Sequence, residues 1–217
     1  MTSSKQHTDA KRDRFLGYLL SGDRQGGSEL VHGLFRDGLG VREVYEKMIK
    51  EALYKVGELW EQNKITVAEE HLATSVSEAI MNEFFSDIVS SERKQKKVLV
   101  GCVEQELHQV GAKMVADMFE MKGWDSYFLG ANVPLEELIR FARELAPDLM
   151  AVSASIYFHI PQLDTMLRRI EEVFPELPVL VGGQAFRHGG RDTIDKYPNV
   201  HFASDLYALE SFIDQIT

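Results

Sequence analysis

The sequence predicts an α/β protein in two parts, an N-terminal four-helix bundle followed by a five-stranded, doubly wound parallel sheet. Two observations predict it. Residues 9–91 carry apolar side chains at the three-and-four spacing of amphipathic helices. Beyond the charged stretch 90–97, apolar runs such as Val98-Leu99-Val100 alternate with helix-like segments. Runs without polar alternation suit strands covered on both faces, as in a parallel sheet wrapped by helices.

In the helical part, Phe15, Leu16, Leu19 and Leu20 share one face of a first helix, which Gly22-Asp23 and Gly26-Gly27 are expected to break. A second helix is expected over 28–37, with Ser28 as its N-cap and Gly38 or Gly40 as its stop. The third runs over 41–62 on Val44, Met48, Leu53, Val56, Leu59 and Trp60. The fourth starts at Thr66, with Glu69 placed three residues on to complete a capping box, and continues through Leu72, Val76, Ile80, Phe84 and Ile88. Short loops between four helices read as a small bundle. The charged segment 90–97 is the expected linker, giving domains at 1–91 and 92–217.

In the second part, strands are expected at 97–103, 125–129, 149–154, 178–181 and 201–203, and helices at 111–122, 135–145, 162–174, 191–197 and 206–216. Five strand–helix units point to a flavodoxin-like, Rossmann-like sheet, whose ligands bind at the carboxyl edge of the strands.

A formal charge of −10 argues against direct binding to nucleic acid, which wants clustered Lys and Arg, so any effect on DNA is expected to pass through a partner. The single cysteine, Cys102, lies in an apolar run and fits a reducing cytosol. No N-terminal apolar signal and no membrane-length apolar stretch is present, so the expected location is cytoplasmic.

The chemistry-bearing residues gather at strand ends. His108 follows the first strand, Glu106 stands two residues earlier where its carboxylate could hold the imidazole, and Gly111 permits close approach of a ligand. Between Gly111 and Ser153 lie 41 residues, and between Ser155 and Gly182-Gly183 lie 26. These sites lie at or just after the ends of predicted strands and should meet at one sheet edge. His7, His32, His159, His188 and His201 read as structural or solvated, with His159 near the cofactor edge.

Residues 97–217 resemble the cobalamin-binding domain of methionine synthase, methylmalonyl-CoA mutase and corrinoid proteins, whose pattern is Asp-x-His-x-x-Gly, Ser-x-Leu and Gly-Gly. Here it reads Glu106-x-His108-x-x-Gly111, Ser153-Ala154-Ser155 and Gly182-Gly183, with Glu for Asp and Ser155 where Leu is usual. The resemblance implies that His108 is the lower axial ligand of cobalt. It also implies that the cobalamin tail threads past Ser153 and Gly182-Gly183, and that Asn132-Val133-Pro134 shapes a neighbouring loop.

Trp60, nine residues, then Glu70-His71 resembles the signature of light-sensing cobalamin proteins of the CarH type, in which these residues shelter an adenosyl group above cobalt. Glu61 replaces the histidine common after that Trp. The resemblance implies a photoreceptor rather than an enzyme, with 1–91 as a cap over the upper face of cobalamin. Light would cleave the bond from cobalt to the adenosyl group, alter domain arrangement and change binding to a protein partner such as a transcription factor. Homo-oligomers are possible on this view. The chain opens directly on the bundle, without a DNA-binding domain, and in this is similar to AerR-type antirepressors. The alternative is a corrinoid protein carrying a methyl group for a methyltransferase system, with methylcobalamin in place of adenosylcobalamin.

Overall fold

The computed structural model describes residues 2–216, with side chains from 9 to 216. The chain divides into two compact units, Met1–Ile88 and Val89–Thr217.

The first unit is helical. It comprises α1 (Thr2–Ser21), α2 (Arg24–Arg36), α3 (Val41–Val44), α4 (Lys50–Glu61), α5 (Val67–Met81) and α6 (Phe85–Ile88). A π-helical segment, Tyr45–Ile49, joins α3 to α4, so that 41–61 is one rod with a local bulge. Phe15, Leu19, Val31, Met48, Ile80 and Phe84 are fully buried at the centre of the four joined helices. The Thr66 capping box forms as expected: Thr66 Oγ1 accepts from the Glu69 N–H, and the Glu69 carboxylate accepts from the Thr66 N–H at 2.7 Å.

Two expectations for this unit need correction. The second helix starts at Arg24, and its N-cap is Asp23, whose carboxylate accepts from Gly26 N at 2.8 Å; Ser28 instead donates to Glu83. Gly26-Gly27 lie inside α2 rather than breaking the chain. A Cβ at Gly27 would stand 2.9 Å from Ile80 Cδ1, and one at Gly26 would stand 2.5 Å from the Tyr18 ring. The glycines therefore let helices approach closely, which outweighs their low helix propensity. The fourth helix also ends earlier than expected, at Met81, and gives way to a 3-10 turn over Asn82–Phe84 before α6.

The second unit is the expected parallel sheet: β1 (Lys97–Cys102), β2 (Asp125–Phe128), β3 (Leu149–Ser153), β4 (Val179–Gly182) and β5 (Val200–Phe202), in the order β2-β1-β3-β4-β5. The strands alternate with α7 (Val110–Met121), α8 (Leu135–Leu145), α9 (Ile160–Val173), α10 (Arg191–Ile194) and α11 (Leu206–Gln215). Leu99, Met150, Val152, Val179 and Val181 pack against Leu138, Ile139, Leu163 and Met166 of α8 and α9. On the other face α7 packs on β1, β2 and β3. Both faces being covered explains why β1 and β3 read as unbroken apolar runs.

From β1 the chain adds β2 on one side and β3, β4 and β5 on the other, so the order of strands switches between β1 and β3 and places a crevice at their carboxyl ends. The register sets the motif residues side by side there, with Cys102 opposite Ser153 and Ser153 opposite Gly182.

Candidate functional site

The loop leaving β1 is fixed by its backbone. Val103 N donates to Ser153 O at 3.0 Å, Glu106 N to Val103 O at 2.9 Å, and Asn132 N to Glu106 O at 3.1 Å. Gln105 turns the chain with a left-handed φ of 70°, and the Gln109 side chain accepts from Ala131 N at 3.2 Å. Ala131 and Asn132, after β2, thus brace the histidine loop through their backbone N–H groups.

This bracing buries Glu106 completely while its charge is satisfied. Oε1 accepts from His108 N at 3.0 Å and His108 Nδ1 at 2.5 Å. Oε2 accepts from Ser155 N and Ile156 N, each at 3.0 Å, and meets His159 Nδ1 at 3.1 Å. Burial works to raise the Glu106 pKa, but the His108 side-chain and backbone bonds, with those from Ile156 and His159, outweigh it and hold the carboxyl far below its usual range. An ionised carboxylate only accepts, so both Nδ1 atoms carry a proton. In the neutral His108 ring, Nε2 is then the nitrogen with a lone pair, the form that ligates metals.

The His108 side chain is 55% exposed, against 0% for Glu106. The imidazole is therefore presented at the surface on a buried anchor. Cys102 is no rival nucleophile. Burial, with the Glu106 charge beside it, pushes its thiol up to about 12, and Sγ points to His108 O at 3.6 Å.

The glycines divide by cause. Gly183 adopts φ +118°, and a Cβ there would lie 2.1 Å from Ala154 O; at Gly182 it would lie 2.9 Å from Ala203 O. The fold itself requires both, whatever they also offer a ligand. Gly111 is different, because a Cβ would meet only Ser153 Oγ within 4 Å, at 3.8 Å. No backbone contact requires glycine at that position. Ser153 is buried beside it, and Ser155 contributes its backbone N–H to Glu106.

His159, placed by the sequence near the cofactor edge but read as structural or solvated, is a partner of Glu106. It lies 53 positions from Glu106 and is 16% exposed at the side chain. A usable signal existed: a buried carboxylate can accept more hydrogen bonds than one imidazole supplies.

In the helical unit, Trp60 stands in the last turn of α4, 48% exposed. Glu70 and His71 meet on α5: Glu70 Oε2 bonds His71 Nδ1, and Oε1 accepts from Thr74 Oγ1 at 3.0 Å. The His71 side chain is 76% exposed. His7 lies outside the described side chains.

The parallel sheet displays a carboxylate-braced imidazole at its switch point, the place where open α/β sheets bind ligands. Two family models, each described as a B12 binding domain, match residues 96–210 and 11–83. The chain belongs to the B12 binding domain family and is a cobalamin-binding protein. It is 25% identical over 185 residues to the HTH-type transcriptional repressor CarH of Myxococcus xanthus, covering 85% of this chain and 61% of that protein. It is 26% identical over 155 residues to dimethylamine corrinoid protein 3 of Methanosarcina acetivorans, covering 70% of this chain and 73% of that one. The fold matches the monomethylamine corrinoid protein of Methanosarcina barkeri with a TM-score of 0.79 at 15% identity, over 96% of this chain and 99% of that one.

The residues present fit the cofactor. A neutral imidazole nitrogen is a ligand that cobalt takes, and His108 on its Glu106 anchor is the residue that would supply it. Leu107 and Phe158, 70% and 82% exposed, offer apolar surface on the segments that flank this pair.

Proposed function

We propose that the protein is a corrinoid carrier, a non-catalytic protein that holds cobalamin and offers its cobalt to methyltransferase partners. The observation that carries this reading is the share of the relative that is matched, 73% of the dimethylamine corrinoid protein against 61% of CarH. An alignment of 155 residues is longer than either unit, Met1–Ile88 or Val89–Thr217, so helices and sheet are shared together. The cofactor supplies a metal that can accept and release a methyl group. The chain's part is to hold that metal: His108 as lower ligand, Glu106 setting its tautomer, and Gly111 with Ser153 lining the approach. Exposed Trp60, Val67 and Leu72 give the helical unit an apolar surface of the sort a partner enzyme could meet.

A second reading has a specific observation in its favour. Trp60 and the Glu70–His71 pair are not consumed by the helical core, and their spacing is that of the adenosyl-sheltering set in light-sensing cobalamin proteins. On that reading the helical unit caps adenosylcobalamin and light is the signal, with a transcription factor as the partner.

One experiment separates the two. The protein is titrated with methylcobalamin and adenosylcobalamin in the dark, then sized before and after illumination. The carrier reading expects affinities within about tenfold of each other, a difference of ~1.4 kcal/mol or less, and the same size in light and dark. A strong adenosyl preference with a light-dependent change of size would overturn it in favour of the second reading.

A further inference from the structure

The charged stretch that reads as a linker is hydrogen-bonded along its length to the cofactor-binding unit. Ser90 N donates to Glu120 O at 3.4 Å, Lys94 N to Gly123 O at 2.8 Å, and Asp125 N to Lys96 O at 2.8 Å. Arg93 donates to three acceptors where α7 turns into β2: Glu120 Oε2 of α7 at 2.7 Å, Trp124 O of the turn at 2.7 Å and Asp125 Oδ1 of β2 at 2.5 Å. The other oxygen of Glu120 accepts from Ser126 N at 2.8 Å, so the same carboxylate ties the stretch to β2. Gly123 has φ +84°, and a Cβ there would lie 2.2 Å from Glu92 O. That close approach of two backbones exists only because position 123 is glycine.

We infer that residues 90–96 are a strap latched onto the junction of α7 and β2 by Arg93 and Gly123, which leaves only the step Ile88–Val89 between the strap and the helical unit. Seven free residues would reach roughly 25 Å, whereas a two-residue junction reaches roughly 7 Å. The latch therefore sets how far the helical unit can travel from the cofactor-binding unit. A short tether keeps the local concentration of one unit about the other high, and releasing the strap lowers it. The strap's anchor is the far end of α7, the helix that begins immediately after the His108 loop.

Limited trypsin digestion of the full chain tests this, because Arg93, Lys94, Lys96 and Lys97 are all cleavage sites and cleavage needs local opening of the segment. The wild-type protein is expected to be cut within 93–97 at least ~100-fold more slowly than an unstructured peptide of that sequence, and Arg93→Gln is expected to raise the rate roughly tenfold or more. Gly123→Ala should act in the same direction. Each variant's cobalamin absorption spectrum shows that it has folded, and Arg93→Gln, an exposed change, serves alone if Gly123→Ala does not fold. A wild-type strap cut as fast as the free peptide, or an Arg93→Gln protein cut no faster than wild type, would overturn the inference.

Discussion

Glu106 holds two histidine side chains and three backbone N–H groups with two oxygens and no water-exposed surface. Removing it leaves Ser155 N and Ile156 N without their acceptor inside the protein, and unsatisfied buried donors cost more than the bonds they once made. Glu106→Ala is expected to lower stability by ~3 kcal/mol, read as an earlier midpoint in urea unfolding of the apoprotein; a loss under ~1 kcal/mol would contradict the cradle. Tyr197 gives a pH test at the same scale. Burial, with the Asp164 carboxylate that accepts from its hydroxyl at 2.7 Å, pushes the phenol up to about 12. The unfolded phenol titrates near 10, so the neutral form favours folding. That contribution is complete below pH ~10 and disappears as pH rises through the folded value. Tyr197→Phe should cost about 1 kcal/mol at neutral pH and shed less stability than wild type when unfolding is followed upward from pH ~10. His108 was legible in the sequence because its partners Glu106 and Gly111 are local. His159 was not, because its tie to the site is made only when β3 comes to lie against β1 and brings 155–159 over the carboxylate.

At the scale of elements, the strands were legible because burial on both faces removes polar alternation, and that is visible as Val98-Leu99-Val100 and Val179-Leu180-Val181. The Thr66 box was legible because both of its partners lie within one turn. Thr66→Ala should cost ~1 kcal/mol, with helical circular dichroism reporting the lower melting temperature; an unchanged midpoint would mean that the N-terminus of α5 is held by packing alone. The start of α2 was not legible. Gly26-Gly27 signal a break locally, and only the close passage of Tyr18 and Ile80, on α1 and α5, turns them into packing residues. The π-helical Tyr45–Ile49 was hidden for a related reason: its apolar spacing continues that of the flanking helices, and the bulge is a backbone matter. The strap at 90–96 looked like a spacer because its composition is charged, while what fixes it is one arginine and the missing side chain of Gly123.

At the scale of the molecule, two compact units are joined through a strap that belongs to the second. Among the described residues no helix is long and apolar enough to cross a membrane. A ligand that binds only the folded sheet unit stabilises it by mass action, by ~2.7 kcal/mol at a free concentration a hundred times its Kd. Loading with cobalamin should therefore raise the unfolding midpoint of the wild-type protein, and much less so when His108 is replaced. The central claim is that His108, braced by Glu106, is the lower ligand of cobalt. Absorption spectra of wild-type and His108→Ala proteins loaded with the same cobalamin test it most directly. The account predicts a histidine-ligated spectrum, with the cofactor's own base displaced, in the wild type and its loss in the variant. The same histidine-ligated spectrum in both would contradict it.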